Sequence, residues 1–96
     1  MRAEERVVVS GEAGLYEVEV RSRGAVTAHR VEVPTGYPEK LGWGERPELE
    51  IVRESFAFLL EREPASSILP SFRLDVISRY FPEYESEMKR RSGRRG

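Results

Sequence analysis

The first third of the chain alternates apolar and polar residues in the way that is typical of half-buried β-strands. In its clearest stretch, apolar side chains from Tyr16 to Val20 would share one face, and the glutamates between them would face water. Glycine-containing turns separate this stretch from its neighbours. The pattern predicts a three-stranded antiparallel sheet with these strands: Arg6–Ser10, Leu15–Arg21 and Ala25–Val33.

The third predicted strand has an irregular phase. Val26 and Ala28 lie on one parity, whereas Val31 and Val33 lie on the other. An extra residue in a strand shifts its phase by one position, so we expect a β-bulge near His29 and Arg30.

The loop over residues 34–46 contains two prolines, three glycines and the only tryptophan. Trp43 is either packed against the sheet or presented to a partner. Packing is favoured, because an exposed tryptophan leaves a large apolar ring in water.

The second half of the chain shows helical spacing. Apolar residues recur every three or four positions over Pro47–Arg62, which predicts the main helix packing on the sheet. Ser71 could cap a second helix over Phe72–Phe81, and a third helical piece follows Pro82. The expected fold is therefore α+β: a three-stranded antiparallel sheet packed by one main helix plus one or two short C-terminal helices.

The length of 96 residues fits one domain, which we place at residues 1–88. The apolar fraction is slightly below the usual range, so a partner or self-association into a homo-oligomer would help the core. No apolar run approaches a membrane span, and the first residues lack a signal-peptide core, so a cytoplasmic location and no membrane contact are expected. The absence of cysteine fits a reducing compartment.

The net charge of −1 hides an asymmetry. Residues 1–88 hold 11 basic and 17 acidic side chains, a net of −6, whereas residues 89–96 carry five basic side chains and no acidic one. This tail is interpreted either as a disordered, solvated terminus or as a nucleic-acid-binding arm. The candidate nucleic-acid contacts are Lys89, Arg90, Arg91, Arg94 and Arg95.

No catalytic or metal-binding motif is recognisable. His29 is the only imidazole, and without cysteine it cannot build a Cys/His zinc site. A mid-strand histidine is most often a hydrogen-bonded structural residue, and the neighbouring Glu17 and Glu19 belong to a wet strand face. The sequence therefore predicts a protein that is not an enzyme, with no catalytic residue, no cofactor and no metal.

An aromatic cluster lies at the junction of the last two predicted helices: Tyr80, Phe81 and Tyr84. Such residues either close the core or anchor a partner, because aromatic side chains are enriched at the centres of interfaces. They are the candidate partner-binding residues.

The run from Ser55 to Glu85, with its S-F-x-F-L-L-E-R-E-P, S-I-L and R-Y-F-P-E-Y-E segments, resembles a set of small uncharacterised bacterial proteins. The order of strands, a loop after the V-x-V-P of residues 31–34, and a helix is similar to that of HicB-type antitoxins. This second likeness implies a fold and a regulatory, antitoxin-like role in a two-gene system.

We therefore expect a protein-interaction or regulatory module. The alternative is a nucleic-acid-binding accessory protein that acts through the basic tail.

Overall fold

The computed structural model describes residues 5–22 and 24–93, which form a mixed four-stranded sheet packed by helices. The strands are β1 (Arg6–Glu12), β2 (Leu15–Ser22), β3 (Ala25–Glu32) and β4 (Ser71–Arg73). The helices are α1 (Tyr37–Lys40), α2 (Glu48–Leu60), α3 (Ile77–Tyr80) and α4 (Tyr84–Gly93), with 3-10 turns at Ala65–Ser67 and Leu74–Val76. The α+β class is confirmed.

The strands lie in the order β1-β2-β3-β4. β1, β2 and β3 form the predicted antiparallel meander, and the β1–β2 hairpin turns through Ala13 and Gly14, both at positive φ. The fourth strand corrects the prediction, because β4 pairs in parallel with β3 and places Phe72 opposite Val31.

The predicted helix over Phe72–Phe81 is wrong at its start, since the chain is extended at Ser71–Arg73 and Ser71 caps no helix. The reason lies in the edge of β3, whose backbone groups need partners. The N–H of Arg30 donates to the carbonyl of Pro70 at 2.8 Å, and β4 continues this pairing. The local spacing of apolar residues cannot show that the backbone of a strand about forty residues earlier needs hydrogen-bond partners.

The predicted bulge near His29 and Arg30 is also wrong. β2 and β3 stay in unbroken register, with Val18 opposite His29. Val26 lies on the outer face and is 58% exposed, whereas His29 is buried on the inner face. Two polar residues, Thr27 and His29, thus occupy inward positions of β3. They satisfy each other through a hydrogen bond of 2.9 Å between the ring Nε2 of His29 and the hydroxyl of Thr27.

Helix α2 supplies most of the core opposite the sheet. It begins after Pro47, whose φ of −55° suits a helix start, and ends within two residues of its predicted end at Arg62. Its apolar face packs against the inner face of the sheet. Tyr16, Val18 and Val20 of β2 are buried on that inner face, as the alternation predicts. The fully buried apolar residues of α2 are Ile51, Val52, Phe56 and Phe58.

Loop 34–46 contains α1 and packs its aromatic residues inward. Trp43 is 4% exposed, and its indole N–H donates to the backbone oxygen of Met88 at 2.9 Å. The prediction that Trp43 is packed is confirmed, and its partner is α4.

Helix α4 packs despite its few apolar residues. Tyr84 and Met88 are fully buried, and the tyrosine hydroxyl bonds the Ser55 hydroxyl at 2.6 Å. Glu85 near its start accepts a hydrogen bond of 2.7 Å from the hydroxyl of Tyr37. Polar contacts of this kind fix the helix where apolar area alone is small.

Candidate functional site

An apolar groove of about 320 Å³ lies beside β4, between the end of α2 and α3. Its lining is mostly aliphatic or aromatic, with one carboxylate and two hydroxyls. The lining residues are Leu59, Glu63, Ser67, Ile68, Leu69, Phe72, Val76, Ile77, Tyr80 and Phe81. We refer to these ten residues as the groove.

The floor of the groove is part of the core. The ring of Phe72 lies 6.0 Å from that of Phe56, and the ring of Phe81 meets that of Phe58 edge-on at 6.0 Å. Both rings are therefore held in place from beneath. A floor of this kind offers a preformed surface, which lowers the entropic cost of binding.

The rim of the groove is exposed. Leu69 is 42% exposed and Tyr80 is 64% exposed, two of the largest exposed apolar side chains among the described residues. The segment that carries Leu69 is fixed because its carbonyl bonds Nδ1 of His29 at 2.8 Å. Exposed apolar residues that surround a depression are typical of a binding surface, whereas isolated ones are ordinary.

The three predicted partner-binding residues lie in different environments. Tyr80 is on the rim of the groove and Phe81 is half-buried on its floor. Tyr84 is fully buried, and burial is the main reason that the pKa of its hydroxyl is raised well above its ordinary value. A side chain without exposed surface cannot contact a partner, so Tyr84 supports the site only from within.

Two basic residues near the C-terminus, Arg90 and Arg91, form ion pairs within the chain. The Arg91 side chain is 10% exposed, and its guanidinium donates to Glu54 at 2.7 Å, Glu61 at 2.8 Å and Glu87 at 2.9 Å. Burial alone would lower the pKa of Arg91, but these three carboxylates outweigh it and raise that pKa. The hydrogen bonds from Arg90 and Arg91 together lower the pKa of Glu87 to about 2.

The predicted tail therefore begins inside a helix, because α4 extends to Gly93. Arg90 pairs with Glu87 and Lys89 is exposed, while Arg94 and Arg95 lie outside the described residues. Of the five predicted nucleic-acid contacts, two are thus committed to intramolecular ion pairs. Nucleic-acid binding stays a prediction, and the described residues favour the groove as the contact surface.

A wider depression of about 490 Å³ lies on the outer face of the sheet. Glu17 and Arg30 line it and face each other at 3.7 Å, and Glu19 pairs with Arg21 at 2.7 Å. Both carboxylates thus lie on the wet strand face that the alternation predicts. Because the charged groups of this depression form ion pairs on the sheet, it is a weaker candidate than the groove.

Residues 5–22 and 24–93 contain no cluster of three or more potential metal ligands. The one histidine has both ring nitrogens hydrogen-bonded, and its ring packs on Phe56 with centroids 5.3 Å apart. In this setting His29 joins β3 to the segment that carries Leu69 and packs on the core.

Sequence reasoning identified Tyr80 and Phe81 but missed the rest of the groove. Ile68 and Leu69 form an apolar pair between Pro64 and Pro70. This pair is the one local sequence signal that could have assigned Ile68 and Leu69 to the groove. The participation of Phe72 and Leu59 depends on the packing of β4 against α2, which no local pattern reports.

Comparison of the chain with protein-family models, with curated proteins and with solved structures gives no match. In the part of the chain that the structure describes, no helix combines the length and the apolar character that crossing a membrane requires.

Proposed function

We propose that this chain is a non-catalytic protein-interaction module and that the groove is its contact surface. The observation that carries the proposal is the combination of a rigid apolar floor with an exposed apolar rim at Leu69 and Tyr80. This function is broader than the antitoxin-like, regulatory role that the resemblance implies.

The groove favours a partner that presents a short run of apolar side chains. A volume of about 320 Å³ accommodates a few such side chains, and burying them against Leu69, Tyr80 and the floor would drive association. Glu63 is the charged member of the lining, so a basic residue beside the apolar run would find an opposite charge there.

Photo-crosslinking tests this proposal. A photoreactive phenylalanine analogue replaces Tyr80 in one version of the chain and Val26 in another, because Val26 is similarly exposed on the outer sheet face. We expect a stoichiometric protein adduct from position 80 in cell extract and none from position 26. Adding Leu69→Ser to the position-80 version should abolish the adduct.

The stability of each variant must be measured alongside. Leu69 and Tyr80 are exposed, so we expect their replacement to change the free energy of unfolding by less than about 0.5 kcal/mol. Equal adducts from positions 80 and 26, or an adduct that survives Leu69→Ser, would contradict the groove as the contact surface.

A further inference from the structure

Strand β1 forms an open edge of the sheet. Among the described residues it is hydrogen-bonded to β2 alone, and it runs for seven residues from Arg6 to Glu12. An open edge presents unpaired N–H and C=O groups that can pair with another strand. Most edge strands are short or interrupted by proline or lysine, but this one carries neither residue and contains three consecutive valines.

The hydrogen-bond alternation shows which residues of β1 face outward. The N–H of Val33 donates to the oxygen of Gly14 at 2.8 Å. Hydrogen-bonded pairs alternate along an antiparallel ladder, so every second residue of β2, counted from Gly14, has its backbone groups directed at β3. The alternate residues of β2, including Glu19, must then bond to β1. Glu19 lies opposite Val8, so the backbone groups of Val8 face β2 and those of Val7 and Val9 face the open edge.

The charges at the two ends of β1 are unsatisfied within the sheet. Arg6 lies directly opposite Arg21, a like-charge pair that destabilises an antiparallel ladder. Glu12 lies opposite the apolar Leu15. Arg6 and Glu12 are both exposed, and neither forms an ion pair within residues 5–22 and 24–93. A positive and a negative end on one strand complement the same strand running antiparallel.

We propose that a second copy of this chain pairs along β1 in antiparallel orientation, with the two-fold axis passing between the two Val9 residues. In this register Arg6 of each copy lies opposite Glu12 of the other, and the two Val9 residues exchange backbone hydrogen bonds. All seven residues of each strand are paired. The result is one continuous eight-stranded sheet.

The charges select this register over its neighbours. A two-fold axis at Val8 would also be compatible with the outward backbone groups, but it would place Arg6 opposite Ser10 and leave Glu12 beyond the partner strand. Only the axis at Val9 brings both ends of β1 against an opposite charge. The same arrangement gives Arg6 a carboxylate close enough to offset its repulsion with Arg21.

The pairing is independent of the groove. The groove adjoins β4, at the opposite edge of the sheet from β1, so a dimer formed through β1 leaves two grooves open. Loss of dimerisation would therefore not imply loss of partner binding, and loss of the groove contact would not change the oligomeric state.

Sedimentation of the full chain tests the proposal through charge reversal. We expect a species of twice 11.0 kDa, and Arg6→Glu or Glu12→Arg alone should weaken association by roughly tenfold or more, because two attractive pairs become repulsive. The double variant Arg6→Glu/Glu12→Arg should restore it. Arg6→Glu also removes the like-charge pair with Arg21, so a loss of dimer cannot be attributed to a weakened monomer.

The register is tested separately by cysteine pairing, since the chain has no cysteine of its own. The axis at Val9 places Val8 opposite Ser10 of the second copy, at a distance that a disulfide spans. A mixture of Val8→Cys and Ser10→Cys chains should therefore oxidise to the mixed dimer in preference to either homodimer.

Four results would overturn the proposal. In sedimentation, these are a chain that remains monomeric up to about 100 µM, well above the micromolar affinities of weak specific complexes, association that charge reversal leaves unchanged, and a double variant that does not recover association. In cysteine pairing, it is Val8→Cys chains that link preferentially to themselves.

Discussion

At one edge of the sheet, β4 is three residues long and adjoins α3 and the segment that contains Leu69. At the opposite edge, β1 runs for seven residues and, among the described residues, no strand pairs with its outer side. The β4 edge leaves apolar side chains exposed, and the β1 edge leaves backbone groups and two charges exposed. Apolar side chains bind through burial and tolerate many partners. Backbone groups flanked by charges require a strand of defined direction and register. One small sheet thus offers two different kinds of recognition.

The largest expected effect comes from proline substitution in β1, which tests the direction of its backbone groups. Val8→Pro removes an N–H that bonds to β2, and we expect it to lower the free energy of unfolding by about 3 kcal/mol. Val9→Pro removes an outward N–H, a loss that edge strands accept where the N–H faces solvent. Apart from the packing that the Val9 side chain loses against the core, it should therefore cost at least about 2 kcal/mol less.

Denaturant unfolding at a concentration low enough for monomers measures both variants. Equal losses of stability from Val8→Pro and Val9→Pro, once the loss from Val9→Ala is subtracted from the second, would mean that the alternation along β1 has been assigned incorrectly.

The next effect concerns the attachment of the β4 side to the rest of the sheet. His29 joins β3 to the carbonyl of Leu69 and packs on Phe56. His29→Ala removes both contacts, so we expect a loss of about 2–3 kcal/mol in the free energy of unfolding. Thr27→Val keeps the shape of the neighbouring residue and loses only the hydrogen bond to Nε2, so it should cost about 1 kcal/mol.

Thermal or denaturant unfolding, combined with amide hydrogen exchange, distinguishes the two variants. His29→Ala should accelerate exchange at Arg30, whose N–H bonds to Pro70, while exchange in β1 stays slow relative to global unfolding. A uniform acceleration over the whole sheet would show that His29 does not act locally.

The smallest effect is a pH dependence of stability that arises in α4, the helix that packs against α2 and α3. Glu87 has a folded-state pKa of about 2, below its ordinary 4.5, because Arg90 and Arg91 hydrogen-bond its charged form. Its contribution to stability is therefore fully present above about pH 4.5 and is lost as the pH falls from 4.5 towards 2.

Glu87→Gln should accordingly be less stable than the unaltered chain at pH 7, and the gap should narrow steadily as the pH falls from 4.5 towards 2. Denaturant unfolding of both proteins at each pH measures the difference. A stability gap that is independent of pH would indicate that Glu87 acts through packing and not through its charge.

The meander and α2 were predictable because their signals are local. The alternation from Tyr16 to Val20 fixes an inner face, and the spacing of three and four residues within Pro47–Arg62 fixes a helical face. Each of these two elements buries a single face against the core, so the spacing of its own apolar residues is enough to identify that face.

The failures occurred where distant contacts override local spacing. Phe72 has the spacing of a helical residue relative to Val76, yet it pairs with Val31 because the edge of β3 needs hydrogen-bond partners. The phase of β3 was misread because His29 is polar by type but occupies an inward position. Of the predicted contact residues, Tyr80 and Phe81 belong to the groove, while the burial of Tyr84 depends on the position of α4.

The indole of Trp43 touches the backbone of α4 at Met88, and no other tryptophan is present in the chain. Its fluorescence emission should therefore shift to longer wavelength when α4 detaches and water reaches the ring. Detachment of the C-terminal helix can thus be followed optically in unlabelled protein.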